Sequence, residues 1–123
     1  MADRKRVLVV DGDASERNLI TKALEVSYEV TAVADGLIAT ELLSRGLPPD
    51  LVIADVMLPY VDGLTLARMM KQDPRLSRTP LILISEVTGP SAVIRGIQAG
   101  AKHYLEKPLV LSNLVDRVKQ ILK

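Results

Sequence analysis

Short apolar runs alternate along this chain with longer segments in which apolar residues recur every three or four positions. Residues 6–10, 51–54 and 81–84 are almost entirely apolar, which is typical of parallel strands covered by helices on both faces. Residues 29–33 and 103–106 are short as well but more polar. We therefore predict five strands, with the two more polar ones nearer the edges of the sheet.

The segments between these runs have helical spacing, and the predicted helices are 14–26, 36–45, 63–71, 90–100 and 111–122. The last is the clearest, because its apolar residues fall on one face and its charged residues largely on the other. Pro90 suits a first helical turn, while Gly46 and Gly100 suit helix ends.

Five alternating strand–helix units predict an α/β fold with a doubly wound parallel sheet and right-handed crossovers. The chain shows no repeat, low-complexity tract or linker, so we expect residues 1–123 to form a single domain. Ligands of such sheets bind beyond the carboxyl ends of the strands, at the point where the strand order reverses. That edge is where the candidate chemistry is expected.

Composition and charge narrow the classes of protein. Apolar residues make up 48% of the chain and charged residues 25%, as in a compact globular domain. The net charge of +1 gives no reason to expect direct binding to nucleic acid. The sequence contains no cysteine, which fits a reducing compartment. Because no apolar run approaches the roughly 18 residues of a membrane span, we expect a cytoplasmic protein without a membrane partner.

Four predicted strands lead into polar residues that would meet at one edge of the sheet: Asp11, Asp55, Ser85 and Lys107. Two carboxylates, a hydroxyl and an ammonium together suit a divalent cation and a phosphoryl group. Oxygen ligands of this kind favour Mg²⁺, which typically takes one or two carboxylates together with phosphate oxygens. The sequence therefore predicts a site for Mg²⁺ and phosphate chemistry.

Each of these residues has a more ordinary alternative. A carboxylate such as Asp55 at an exposed strand tip can act as a nucleophile and form an acyl phosphate, whereas many such residues only cap a helix. Asp13 and Ser85 are both good N-cap candidates. Lys107 precedes Pro108, and such a bond can be cis and thereby aim the lysine, whereas the ordinary alternative is a solvated surface lysine. Tyr104 either covers the sheet edge or changes position when the site is occupied.

Residues 7–122 resemble the receiver domain of two-component response regulators. The resemblance rests on markers in the right order at compatible spacing, namely Val9-Val10-Asp11, Asp55-Val56-Met57-Leu58-Pro59, Asp62-Gly63, Ile84-Ser85, Ala99-Gly100-Ala101, Tyr104 and Lys107-Pro108. It implies a flavodoxin-like three-layer sandwich of five βα units with strand order 2-1-3-4-5.

The resemblance also implies the chemistry of the site. Asp55 would accept a phosphoryl group from the phosphohistidine of a sensor histidine kinase or from a phosphotransfer protein. Ser85 and Lys107 would contact the phosphoryl oxygens, and Tyr104 would follow Ser85 in a conformational switch. The domain would then be a phosphoacceptor that assists its own phosphorylation and dephosphorylation, not an enzyme acting on a separate substrate.

A Mg²⁺ ion is the implied cofactor, held by Asp11, Asp55 and the backbone carbonyl of Met57. The family usually has a second acidic residue directly after the first, where this chain has Gly12. Asp13 is a substitute ligand if Gly12 lets the loop bend, and a helix cap otherwise. We expect Gly12 to weaken Mg²⁺ binding and Gly12→Asp to restore part of it.

Two alternative functions remain open. Glu86 follows Ser85 where the family usually has a small residue, and a carboxylate there would repel a phosphoryl group. Gly12 and Glu86 together favour a pseudo-receiver, an interaction module that phosphorylation does not control. The motif Asp11-x-Asp13-x-Ser15 resembles haloacid-dehalogenase-type phosphatases, with Asp11 as the nucleophile, although the chain is short for that fold. Phosphorylation of Asp55 or of Asp11 would separate the receiver from the phosphatase.

In receivers the face formed by the fourth helix, the last strand and the last helix commonly meets partners. Residues 93–98, 102–106 and 110–120 would build this face here, for a homodimer or an output protein, although ordinary solvation explains its mixed charges equally well. Because no output domain follows Lys123, we expect either a stand-alone regulator or a piece of a longer protein.

Overall fold

The structure, a computed structural model, describes residues 4–123, so residues 1–3 of the predicted domain lie outside it. Within the described range five strands alternate with five helices, which confirms the predicted α/β class. The elements are β1 Arg6–Val10, α1 Ala14–Glu25, β2 Glu29–Val33, α2 Gly36–Leu43, β3 Leu51–Asp55, α3 Gly63–Gln72, β4 Leu81–Ser85, α4 Pro90–Ala99, β5 His103–Glu106 and α5 Leu111–Ile121. Across residues 4–123, no helix has the length and apolar character needed to cross a membrane.

The strands form one parallel sheet in the order β2-β1-β3-β4-β5, as the family resemblance implied. The more polar strands β2 and β5 lie at its edges. Asp55 pairs with Ile84, and Ser85 pairs with Glu106. The carboxyl ends of β3, β4 and β5 are therefore nearly level, and the side chains that follow them can meet.

A hydrophobic core covers each face of the sheet, which makes three layers. On one face α1 and α5 pack through Ile20, Leu24, Leu114 and Val118. On the other face α2, α3 and α4 supply a second cluster that includes Ala39, Leu43, Leu66, Met70 and Ala99. Every residue of β3 and β4 is buried. Burial from both sides explains why these strands are apolar up to their last residues, Asp55 and Ser85.

Helix α2 is shorter than predicted, because the i→i−4 pattern is lost after Ser44, where the Arg45 N–H donates to the Leu42 carbonyl at 3.3 Å. It ends at Leu43 with Ser44 as the C-cap, not at residue 45. The Arg75 guanidinium donates to the Leu43 carbonyl at 2.9 Å and to the Gly46 carbonyl at 3.0 Å. Gly46 lies in the following turn with φ of 65°. At α4 the prediction was closer, with Pro90 in the first turn and Gly100 at the C-cap.

The basic start of the chain contributes structural hydrogen bonds. Arg4 donates to the carbonyls of Glu25 at 2.9 Å and Val26 at 2.7 Å, at the carboxyl end of α1. A cation at that end of a helix also complements the helix dipole. Arg6 similarly reaches the Leu47 carbonyl, at 3.2 Å. These contacts tie the first strand to α1 and to the segment before β3.

Candidate functional site

The ends of three strands bring Asp11, Asp55 and Lys107 together. Asp11 follows β1 and is 2% exposed, and Asp55 is the last residue of β3 and is 5% exposed. Lys107 follows β5, and its Nζ donates a 2.9 Å hydrogen bond to Asp55 Oδ2. The Lys107–Pro108 peptide bond is cis. Arg17 contributes from α1 by donating to the Asp11 backbone carbonyl at 2.7 Å.

Glu16, which is not among the residues predicted for the site, completes an acidic cluster. One carboxylate oxygen each of Asp11, Glu16 and Asp55 lies within 4.8 Å of the others. Glu16 Oε1 is buried and forms an ion pair with Lys107 Nζ at 3.2 Å. The geometry of this pair does not make a hydrogen bond. Asp55 Oδ1 is buried and has no hydrogen-bond partner among the described residues. The cluster therefore holds carboxylate oxygens whose binding capacity the protein itself leaves unused.

Asp13 is the N-cap of α1, the helix-cap alternative of the sequence analysis, and its carboxylate is not one of the three in the acidic cluster. Its carboxylate accepts from the backbone N–H groups of Ser15 at 2.9 Å and Glu16 at 3.3 Å. Its own backbone N–H donates to Asp11 Oδ1 at 2.8 Å. A glutamate three residues after an N-cap usually reaches back to that N–H. Because Asp11 already accepts from it, the Glu16 side chain turns toward the site.

Burial and mutual repulsion shift the protonation of these groups. Burial raises the pKa of Asp11 from 3.8 to about 8, and the adjoining Glu16 carboxyl and the Asp55 charge act in the same direction. Burial also raises the pKa of Asp55, against the opposing hydrogen bond and charge of Lys107. Burial alone would lower the pKa of Lys107, but Asp55 and Glu16 outweigh it, and the net pKa lies above the usual value. Among the described residues, the site thus holds one ammonium group, that of Lys107, beside three carboxyl groups.

The residues present fit a small divalent cation. Mg²⁺ prefers oxygen ligands, and the cluster offers three carboxylates, one of which, Asp55, has its Oδ1 unpaired among the described residues. Met57 lies two residues after Asp55, with an exposed side chain. The backbone carbonyl of Met57 stays a predicted further ligand of the cation.

Ser85 and Tyr104 both bind the backbone of Val87. Ser85 is fully buried at the end of β4, and its hydroxyl accepts from the Val87 N–H at 2.9 Å. The Tyr104 hydroxyl donates to the Val87 carbonyl at 2.6 Å. Helix α4 has Gly89 as its N-cap, so Ser85 does not cap it. Glu86 is exposed and lies outside the acidic cluster.

The Tyr104 ring lies against α4 at Gly96. A Cβ atom on Gly96 would lie 2.6 Å from Cδ2 of the ring, closer than real contacts allow. The ring also packs against the core cluster beneath α4. The missing side chain at Gly96 therefore provides the space that the ring occupies.

The loop after Asp55 folds back tightly onto β3. The Gly63 N–H donates to the Val56 carbonyl at 2.9 Å, and a Cβ on Gly63 would lie 2.3 Å from the Asp55 carbonyl oxygen. Asp62 caps α3 by accepting from the Thr65 N–H at 2.8 Å. This close approach fixes the backbone that carries Asp55.

Comparison with known proteins gives consistent matches. The family model described as "Response regulator receiver domain" matches residues 7–119. The response regulator PleD of Caulobacter vibrioides is 37% identical over 119 residues, covering 96% of this chain and 26% of PleD. The DNA-binding dual master transcriptional regulator RpaA of Synechocystis is 33% identical over 119 residues, covering 96% of this chain and 49% of RpaA. The chain thus spans between a quarter and a half of these relatives.

Solved structures give the same match over almost the whole chain. The receiver domain of the Francisella response regulator 1452 superposes with a TM-score of 0.90 at 28% identity, covering 97% of each chain. The likeness therefore covers the fold as well as the sequence.

Proposed function

This chain belongs to the response regulator receiver domain family, and on that premise we propose that a phosphoryl group carried on Asp55 controls it. The proposal rests on the hydrogen bonding of the two Asp55 carboxylate oxygens. One oxygen is held by Lys107 at 2.9 Å, and the other is buried without a hydrogen-bond partner in the part of the chain that the structure describes. An oriented carboxylate with one free oxygen is suited to nucleophilic attack.

In the proposed reaction an oxygen of Asp55 attacks the phosphorus of a phosphohistidine. The new P–O bond forms as the P–N bond breaks, and the departing imidazole takes up a proton. Lys107 favours the ionised form of Asp55 before transfer and lies beside the position of the new phosphoryl oxygens afterwards. Asp11, Asp55 and the Met57 carbonyl would hold Mg²⁺, which supplies positive charge against the phosphoryl oxygens when bound.

Hydrogen bonds to the backbone of Val87 connect Ser85 in the site with Tyr104, and they support a way for a change at the site to reach the surface. The Ser85 hydroxyl now accepts from the Val87 N–H at 2.9 Å. If it turned to contact a phosphoryl oxygen, the Val87 N–H would lose this partner, and the loop that accepts from Tyr104 would be released. Exposed apolar residues on the nearby face, Ile94, Ile97 and Val110, offer a surface for a second copy or an output protein.

Receiver domains of response regulators interact with histidine kinases or phosphotransfer proteins and with output domains. We propose such a kinase or phosphotransfer protein as the phosphoryl donor of this chain, in the cytoplasm. In this role the domain assists its own phosphorylation and dephosphorylation without acting on a separate substrate. The nearness of Lys107 to Asp55 supports this phosphoacceptor role.

The test is treatment with acetyl phosphate and Mg²⁺, followed by intact-mass measurement. Wild type should gain one phosphoryl group, and Asp55→Asn should gain none. Borohydride reduction of the acyl phosphate and peptide mass spectrometry then identify the modified residue. Modification of Asp11 would instead favour the phosphatase, and no modification at millimolar Mg²⁺ would favour the pseudo-receiver.

A further inference from the structure

We propose that Glu16, on the first turn of α1, is a ligand of the divalent cation and supplies the carboxylate that the loop lacks at Gly12. This inference rests on the proposed function, because it concerns the cation of the same site. It assigns the ligand to a helix, five residues after Asp11, instead of to the residue next to it.

The position of the Glu16 carboxylate supports this assignment. The side chain is 18% exposed, and one of its oxygens lies within 4.8 Å of oxygens of both Asp11 and Asp55. The 5% exposed Asp55 side chain keeps Oδ1 without a hydrogen-bond partner among residues 4–123. A cation bound to Asp55 Oδ1 among the three carboxylates would satisfy that oxygen.

The charge balance of the site points the same way. Carboxylates held this close repel one another, and burying an uncompensated charge costs free energy. The Lys107 ammonium contacts Asp55 and Glu16, and Arg17 bonds the Asp11 carbonyl oxygen, not its carboxylate. The burial of Glu16 is not offset by a capping hydrogen bond, because the Asp13 N–H donates to Asp11. A divalent cation would offset this repulsion.

The chain also permits a rescue experiment. A Cβ on Gly12 would lie 3.7 Å from both the Ala34 carbonyl oxygen and Pro59 Cδ, which is ordinary van der Waals contact. An aspartate at position 12 therefore fits without displacing the loop. It would return a carboxylate to the position where the family usually has one.

The competing role for Glu16 is that it only orients Lys107, with which it pairs at 3.2 Å. The two roles predict different effects on cation binding. Loss of a ligand weakens binding, and the loss persists when Lys107 is also replaced. If Glu16 acts only through Lys107, its removal has no effect on cation affinity in a Lys107→Met background.

The experiment measures Mg²⁺ affinity of the whole chain by isothermal titration calorimetry, with Mn²⁺ paramagnetic resonance as a second readout. We expect Glu16→Gln to weaken binding by about tenfold or more, the scale seen when groups at a metal site are removed. Asp13→Asn, which keeps a good N-cap, should change the affinity by less than about twofold. Adding Gly12→Asp to Glu16→Gln should restore binding. Glu16→Asp provides an intermediate variant, and thermal melts verify folding.

Three results would overturn the assignment: unchanged affinity in Glu16→Gln, a loss in Glu16→Gln that vanishes in the Lys107→Met background, or no Mg²⁺ binding by wild type. Failure of the proposed function has a different signature. If wild type is modified on Asp55 by acetyl phosphate while Glu16→Gln binds Mg²⁺ normally, only the Glu16 assignment fails. If wild type binds Mg²⁺ through Glu16 but Asp55 is never modified, only the proposed function fails.

Discussion

Lys107 Nζ lies 2.9 Å from Asp55 Oδ2, and this hydrogen bond joins the segment after β5 to the end of β3. The side chains are 16% and 5% exposed, so water screens the pair only weakly. Among residues 4–123, Lys107 is the cation that forms ion pairs with the acidic cluster. Its ammonium therefore bears on both the stability of the site and its affinity for a second cation.

Replacing Lys107 with methionine should destabilise the metal-free protein by about 2 kcal/mol or more at pH 8, because removing one partner leaves buried charge uncompensated. The loss should be smaller at pH 5, where the carboxyl groups can take up protons. Urea unfolding in the presence of a chelator measures both values. Lys102→Met, at an exposed lysine, should stay within about 0.5 kcal/mol of wild type. Equal stability of Lys107→Met and wild type at pH 8 would contradict the expectation.

Stability without metal should fall as the pH rises from about 4 to about 8, because burial raises the pKa of Asp11 from 3.8 to about 8. Between these values the folded protein keeps a proton that the unfolded chain releases, so the free energy of unfolding decreases with pH. One proton contributes at most about 1.4 kcal/mol per pH unit. Urea unfolding from pH 5 to pH 9 should show this slope in wild type and a flatter one in Asp11→Asn. Parallel slopes in the two proteins would refute the assignment to Asp11.

Gly63→Ala should destabilise the domain by about 3 kcal/mol, at the upper end of typical overpacking costs. The added Cβ would lie 2.3 Å from the Asp55 carbonyl oxygen, so the loop or the end of β3 must move. Gly12→Ala is the matched control, because its nearest neighbours lie at 3.7 Å. Thermal melts give the stability, and acetyl phosphate labelling reports on Asp55. Similar melting temperatures for the two variants would show that the loop yields easily.

Gly96→Ala should displace the Tyr104 ring, because the new Cβ would lie 2.6 Å from Cδ2. Alanine favours the helix by about 1 kcal/mol, so stability alone is a poor readout. A double-mutant cycle is sharper. Tyr104→Phe should cost about 1 kcal/mol in wild type, where it removes the 2.6 Å bond to the Val87 carbonyl. It should cost almost nothing in Gly96→Ala, and equal costs in both backgrounds would mean that the ring stays in place.

The sequence predicted the fold closely because local patterns and topology agree in this chain. Buried parallel strands such as β3 must be apolar on both faces, and edge strands such as β2 need not be. The end of α2 was misplaced, because the Arg45 N–H bonds the Leu42 carbonyl instead of continuing the helical pattern, and Arg75, 32 residues from Leu43, binds the free Leu43 carbonyl. A tertiary contact of this kind leaves no mark in the local sequence.

The site was predictable only where its residues follow strands. Asp11, Asp55 and Lys107 could be placed together, because parallel strands end at one edge. Glu16 lies on a helix, and Asp13-x-x-Glu16 resembles a capping pattern that would turn the glutamate away from the site. In the structure the Asp13 N–H bonds Asp11 Oδ1 at 2.8 Å, so Glu16 does not cap the helix. That bond depends on the conformation of the loop, which the sequence does not reveal. A lone glutamate in a first helical turn therefore gave no usable signal.

The connection between Ser85 and Tyr104 runs through main-chain atoms of Val87, and this affects how it tolerates mutation. The N–H and carbonyl of residue 87 make the two bonds, while the residue as a whole is 44% exposed. Almost any amino acid at this position can supply both groups, and only proline lacks the N–H. Sequence drift at position 87 would thus leave the connection intact, and side-chain comparison between relatives would not detect it.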